Sequence, residues 1–348
     1  MKIFECDHCR LALFFENQRC EKCGYLTGYS PDDQDMLSFD PSVLTLVSDK
    51  DGKEFRYCAN REFGVCNWLI PIEKNGKFCP ACQLNRIIPN LSDNENFQKW
   101  KKLEGAKHRL IYQLERLNLS YVSKLKDLNQ GVCFDFLSRN PTHNRMTGHS
   151  SGVITILLEE ADTVHLEKMK TQLLEPYRTL IGHFRHEVGH YFWDRLVATA
   201  PVILEEFRGI FGDERADYGQ ALLRYYQSKY NMDWKGNYIS QYAGSHPWED
   251  WAETWAHYLH IMDMAETSFS FGLSVNPNLN EQSLVGKIDF DPYQNHDFGQ
   301  IFKAWFPISF AINSLNRSMG IPDAYPFVIN GEVMKKMKFI HRLLFGMR

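Results

Sequence analysis

The sequence has no long apolar run, no marked excess of charge of either sign and, past residue 82, almost no cysteine. Each absence removes a class of protein. A formal net charge of only -4 excludes broad attraction to nucleic acid or another polyanion, so any phosphate contact would have to be local. No stretch approaches the roughly eighteen uninterrupted apolar residues of a membrane span, since even FKAWFPISFAINSL is short and broken by Pro307 and polar positions. The first residues, MKIFECDHCRLALFF, contain no apolar segment followed by a small-residue cleavage site. The expectation is a soluble, cytoplasmic protein with no membrane partner. Low-complexity segments are missing as well. With 44% hydrophobic and 14% aromatic residues among 348, the composition is that of a folded chain, and the length suits a small module joined to a larger one.

Eight of the nine cysteines lie within the first 82 residues, and Cys133 is the exception. Cys6 and Cys9 form one CxxC and Cys20 and Cys23 a second, which Gly24 follows. This is zinc-ribbon spacing: each CxxC makes a tight knuckle around one metal, and two knuckles at the ends of a short hairpin complete a tetrahedral shell of four sulfurs. The intervening LALFFEN reads as a strand. Cys58 and Cys66 stand further apart, but with Cys79 and Cys82 of CPAC they leave four cysteines for a second site of the same kind. Disulfides are the competing explanation, and a reducing cytosol disfavours them. Cys133, in GVCFDFL, reads as a buried apolar thiol. Residues 1–92 are thus expected to be a tandem zinc-ribbon region with two structural zinc ions, and residues 93–348 a second domain.

In that second part NENFQKWKKLEGAKHRLIYQLERLNL reads as a charged amphipathic helix, and Val153 to Leu158 as a strand opened by Gly152. Asp162 is placed to cap a following helix, and Pro176 to open the next one. In PYRTLIGHFRHEVGHYFWDRL, residues Ile181, Phe184, Val188, Phe192 and Leu196 recur every three or four positions and define one buried face. His186 and His190 lie off that face, four residues apart, so both imidazoles can reach one metal ion, with Glu187 beside them as a general base. This is HExxH.

A catalytic zinc needs a third protein ligand and an open position. The pattern that would supply a histidine at 196 after a glycine at 193 fails, because Trp193 and Leu196 stand there. A later helix, HPWEDWAETWAHYLHIMD, opens with Pro247 at its first turn and carries Glu249, Glu253 and His257 on one stripe. Glu249 is expected as the ligand and Glu253 as acceptor for a ligand histidine, although spacing leaves Glu253 or His257 open as ligand. Tyr242, seven residues before Glu249, could donate to a developing oxyanion or simply pack. His246 is a weaker candidate for that role.

The run HFRHEVGH, then Y...PWEDWAETWAHYLH, then WFPISFAINSLNRSMGIPDAYPF resembles a bacterial family of zinc-binding metallopeptidases with an N-terminal zinc ribbon, and the likeness covers nearly the whole chain. More distantly, Tyr242, Glu249 and Glu253 are spaced as in the catalytic domain of anthrax lethal factor. The resemblance implies an α+β protein: small-β zinc ribbons with four cysteines each, then a mainly helical, zincin-like (gluzincin) domain with a small sheet. It implies hydrolysis of peptide or related amide bonds at one catalytic zinc held by His186, His190 and Glu249, with Glu187 as base and Tyr242 at the oxyanion. Zincins usually present an edge strand to the substrate, which predicts strand addition at Gly152 to Ile156. Two other classes compete: a ribbon module binding protein or, less readily, nucleic acid beside a non-catalytic domain, and a scaffold in which every zinc is structural. Residues 1–92 mix Lys and Arg with many Asp and Glu, which favours a protein partner over phosphate.

Overall fold

The computed structural model describes residues 1–138, 146–173, 179–227 and 234–346. They form an α+β protein whose contacts divide into two compact units, Met1–Pro176 and Tyr177–Arg348. All nine cysteines are free of disulfides.

In the first unit, strands β1 (Phe4–Glu5) and β2 (Ala12–Leu13) form a two-stranded antiparallel ladder on either side of the first CxxC pair. The strand expected over LALFFEN is therefore only two residues long, because the chain must turn at once into the second knuckle. Each knuckle ends on a left-handed residue, Arg10 at φ 61° and Gly24 at φ 78°, which lets the backbone fold back on Cys6 and Cys20. The sulfurs of Cys6 and Cys23 lie 3.7 Å apart and those of Cys9 and Cys20 3.5 Å. Four sulfurs about 2.3 Å from a tetrahedral zinc would be separated by about 3.8 Å, so the spacing fits a metal.

Two short sheets follow, β3 (Leu26–Ser30) with β4 (Asp35–Phe39), and β5 (Leu46–Val47), β6 (Glu54–Tyr57) and β7 (Leu69–Pro71). Leu37, Phe39, Phe55 and Leu69 make their shared core. Cys58, Cys66, Cys79 and Cys82 also converge, with Cys66 and Cys79 sulfurs at 3.7 Å, and the long Cys58–Cys66 gap is taken up by a 3-10 turn over Ala59–Phe63. Backbone N–H groups of Trp68, Cys79 and Cys82 each lie 3.4 Å from a cluster sulfur. Burial pushes the thiols of Cys66, Cys79 and Cys82 well up, while hydrogen bonds from these three lower that of Cys58, so further thiolates beside it are disfavoured without a cation.

Strand β8 (Asn85–Ile87) leads into helix α1 (Asn94–Arg116), capped by Asp93. This helix is more than a charged connector. Phe15, Tyr29, Trp68 and Tyr112 meet in edge-to-face or tilted pairs with centroids 4.8 to 6.1 Å apart, tying both cysteine clusters to α1. His108 of α1 reaches the second cluster, its Nε2 3.5 Å from the Cys82 sulfur, and the Glu104–Lys107 pair beside it is fully buried. Strands β9 (Cys133–Leu137), β10 (Gly148–Ser150) and β11 (Val153–Leu157) complete a mixed sheet in the order β10-β11-β9-β8. Cys133 is buried, as expected of an apolar thiol. Strand β11 pairs with β10 antiparallel and with β9 in parallel, so Val153–Thr155 have neighbours on both sides. The expectation that Gly152 to Ile156 is an open edge for substrate is therefore wrong: Gly152, at φ 78°, and Ser151 turn the chain back as a hairpin that covers it. Asp162 caps α2 (Thr163–Leu173) through Val164 and His165.

In the second unit Pro176 lies outside the described residues, and α3 (Leu180–Leu196) begins at a Thr179 cap. Helices α4 (Pro201–Phe211) and α5 (Tyr218–Gln227) follow, then α6 (Pro247–Ser270), the hairpin β12 (Ser274–Val275) with β13 (Gly286–Lys287), α7 (Phe298–Ser318) and α8 (Gly331–Phe345). Helix α6 is the hub, with Trp251, Trp255, Tyr258 and Met262 all buried. Phe184, Val188 and Phe192 of α3 are buried as the periodicity predicts, while Ile181 and Leu196 are only half-buried. Helix α8 is fixed to α6 by a buried ion pair, Lys336 to Asp250 at 2.6 Å. Among the described residues no helix is long and apolar enough to cross a membrane.

Gly189, inside the HExxH segment, sets how closely α3 and α6 approach. A β-carbon there would stand 3.1 Å from the Trp255 ring and 3.3 Å from the Ala252 backbone, and the Trp251 indole donates to the Gly189 carbonyl at 2.8 Å. Gly189→Val should cost about 1 to 3 kcal/mol of stability by overpacking and should weaken metal binding at the neighbouring histidines. A thermal melt together with zinc content checks both, and a variant as stable and as metal-loaded as wild type would contradict the close-packing argument.

Candidate metal centre

The site is built on α3 and α6. One turn apart on α3, His186 and His190 direct their Nε2 atoms to within 3.2 Å of each other. From α6, Glu249 brings one oxygen, Oε2, to 3.1 Å from His186 Nε2 and 3.5 Å from His190 Nε2. Three nitrogen or oxygen donors about 2.0 to 2.1 Å from a tetrahedral zinc would be separated by about 3.3 Å. Glu249 is 1% exposed, and its Oε2 makes no hydrogen bond. A buried carboxylate oxygen is costly to leave unsatisfied. The donor set thus fits a divalent cation in chemistry and in spacing.

Hydrogen bonding settles the His186 tautomer. Its Nδ1 lies 2.8 Å from Glu253 Oε1, and a carboxylate only accepts, so Nδ1 carries the proton. In the neutral ring the lone pair is then on Nε2, facing Glu249 and His190. The other Glu253 oxygen accepts from the Ser240 hydroxyl at 2.7 Å, and Ser240 accepts from the Ala243 backbone N–H at 3.1 Å. Electrostatics point the same way. Burial alone would lower the pKa of His186, but the facing carboxylates of Glu249 and Glu253 hold it well above its ordinary value. Against the upward push of burial, His186 and His190 keep Glu249 well below the carboxylate range, and His186 brings Glu253 to about 2.

Glu187 is buried on α3 next to these donors, and burial raises its pKa against the opposing pull of His186 and His190. The Tyr242 ring stands 6.0 Å from that of His186, its phenol pushed well up by burial. His257, left open as a ligand by its spacing, falls outside the donor group: its Nδ1 pairs with the Tyr325 hydroxyl at 2.9 Å, and burial lowers it to about 4. His246 spends both ring nitrogens on backbone. Nδ1 accepts from Trp248 to cap α6, and Nε2 donates to the Ala216 carbonyl at 3.0 Å, so it is a structural cap.

Three neighbours had no signal in the sequence. Tyr218 donates to Glu249 Oε1 at 2.6 Å, Ser240 orients Glu253, and the Trp248 ring stands 4.2 Å from that of His190. Tyr218 lies 31 positions before Glu249, and no helical period links residues on separate elements.

Comparison with known proteins bears on the whole chain. Residues 96–343 match a family described as "putative zinc-binding metallo-peptidase", and residues 3–93 match a zinc-ribbon domain. An uncharacterized protein of Mycobacterium bovis is 39% identical over 344 residues, covering 99% of this chain and 95% of its own length. Uncharacterized proteins of two Mycobacterium tuberculosis strains match to the same extent. No solved structure matches. With an N-terminal zinc ribbon and a His-His-Glu donor group on two packed helices, the chain belongs to this zinc-binding metallo-peptidase family.

Proposed function

We propose that the protein is a zinc metallopeptidase that hydrolyses peptide or related amide bonds, with residues 93–348 as its catalytic region and two structural zinc ions in residues 1–92. The observation that carries this reading is the convergence of two imidazole Nε2 atoms and one unsatisfied carboxylate oxygen within 3.1 to 3.5 Å of one another, with a buried glutamate adjacent in sequence. His186, His190 and Glu249 would hold the ion. A zinc ion there supplies Lewis acidity, which polarises a carbonyl and acidifies water.

The residues divide the remaining work. Glu187 takes a proton from the attacking water and delivers it to the leaving amine, and a carboxyl raised by burial can do both near neutral pH. Tyr242 donates to the carbonyl oxygen as negative charge develops on it. Glu253 keeps the His186 lone pair on Nε2, and Ser240 keeps Glu253 in place. The ribbons serve recognition of a protein partner. Lys50, Lys53 and Lys74 are engaged by Asp35, Asp51 and Asp32, which leaves them poorly suited to phosphate. A binding module with an inert helical domain is the competing reading, and an intact Glu187 beside a site with three donors among the described residues argues against it.

Two tests follow. Elemental analysis should find three zinc ions per chain, and a mild chelator should remove one, because a tetrathiolate site stabilises its fold by on the order of 10 kcal/mol; a single metal per chain would contradict the ribbon assignment. Cys58→Ser should harm folding of residues 1–92 more than metal content at the histidines. The second test pairs zinc content with cleavage of an unbiased peptide library. Glu187→Gln should keep zinc and lose at least about 100-fold in turnover, whereas Glu249→Ala should lose the exchangeable zinc. Glu253→Ala should weaken zinc binding by about 10- to 100-fold, and Tyr242→Phe should lower the rate by roughly 100-fold at unchanged affinity. Full activity in Glu187→Gln would refute the mechanism.

A further inference from the structure

Glu249 offers two oxygens in different surroundings. Oε2 faces both imidazoles and makes no hydrogen bond, while Oε1 accepts from the Tyr218 hydroxyl at 2.6 Å. A carboxylate beside a zinc ion can bind through one oxygen or through both. Binding through both raises the coordination number and crowds the position a substrate or water must occupy. A short hydrogen bond from a phenol to one oxygen ties up the lone pair aimed that way and leaves the other oxygen as the donor.

Tyr218 is held for this task by several independent contacts. Its ring meets those of His246 and Trp248 edge to face, at 5.2 and 5.8 Å. The segment leading to it is pinned at Ala216, whose carbonyl accepts from His246, the same residue that caps α6 one turn before Glu249. Glu214 in that segment is held by Arg208 of α4 at 2.6 and 3.0 Å. Asp217 caps α5 through the Gln220 N–H at 2.9 Å. One histidine therefore fixes both the helix bearing the carboxylate and the segment bearing the phenol.

We propose that Tyr218 is a positioning residue that restricts Glu249 to single-oxygen metal ligation and so keeps the fourth coordination position open. This builds on the assignment of His186, His190 and Glu249 as a metal site. Tyr242, whose phenol interacts with that of Tyr218, acts on substrate in the proposed reaction, and Tyr218 acts on the ligand.

Cobalt(II) reports coordination number directly. The exchangeable metal is removed from the full-length protein by mild chelation, which leaves the tetrathiolate sites loaded, and is replaced with cobalt. Wild type should show the intense visible absorption of a four-coordinate ion. In Tyr218→Phe, which keeps the ring and its packing, that absorption should fall severalfold as the ion becomes five-coordinate. Replacing Tyr218 with p-aminophenylalanine, which restores an N–H donor at the same place, should bring the intensity back. A melting temperature near that of wild type establishes that Tyr218→Phe is folded; if it is not, the p-aminophenylalanine protein is compared with Tyr218→His, a shorter donor that should give an intermediate spectrum. An unchanged spectrum in Tyr218→Phe would overturn the role of Tyr218 alone. A wild-type protein taking up no cobalt at an exchangeable site would overturn the metal site itself.

Discussion

The close approach of two helices at Gly189 is the constraint on which the rest of the second unit depends. Where α3 and α6 touch, no side chain separates them on the α3 side, and the Trp251 indole bonds to the Gly189 carbonyl. That proximity lets side chains as short as glutamate reach across from α6 to the histidines of α3, Glu249 to the Nε2 pair and Glu253 to Nδ1 of His186. Trp251 and Trp255 are buried at the same contact, so hydrophobic packing maintains a polar site that would be unfavourable by itself. The Lys336–Asp250 pair and the His246 cap then fix α6 against rotation and sliding.

The electrostatic consequence is a pocket that demands positive charge. Glu249 and Glu253 lie within 2.8 to 3.1 Å of one imidazole, and their negative charge raises its pKa against the pull of burial. A metal ion competes with protons for these donors, so affinity falls as the pH is lowered. In the first unit, burial likewise raises the thiols of Cys66, Cys79 and Cys82, which disfavours thiolates there unless a cation is present. In the second unit the three donors already lie 3.1 to 3.5 Å from one another, so metal binding asks them for little motion.

What was legible in the sequence was what repeats or sits at fixed local spacing. The CxxC pairs, the HExxH turn and the one-turn step from Glu249 to Glu253 are each set by the geometry of a single element, and the structure brings their side chains together. Spacing along one helix could not decide between Glu249, Glu253 and His257, because that depends on how α6 is rotated against α3. Tyr218 and Ser240 were invisible for the same reason, since their partners lie on other elements. The expectation of an open edge at Gly152 to Ile156 failed because a short strand, β10, folds back over it through a tight turn, and a three-residue strand leaves little periodic signal. Helix α1 looked like a connector because its charge dominates its composition, yet Glu104, Lys107 and His108 are buried against the second cysteine cluster.

The central claim is that one metal ion is held by His186, His190 and a single oxygen of Glu249. Anomalous diffraction from crystals of the full chain, with data collected on either side of the zinc absorption edge, tests it most directly. The account predicts a peak bounded by the two Nε2 atoms and Glu249 Oε2, with Oε1 still on Tyr218, besides one peak within each cysteine cluster. A fully loaded protein with no peak at the histidines, or with the ion bound by Glu253 in place of Glu249, would contradict it.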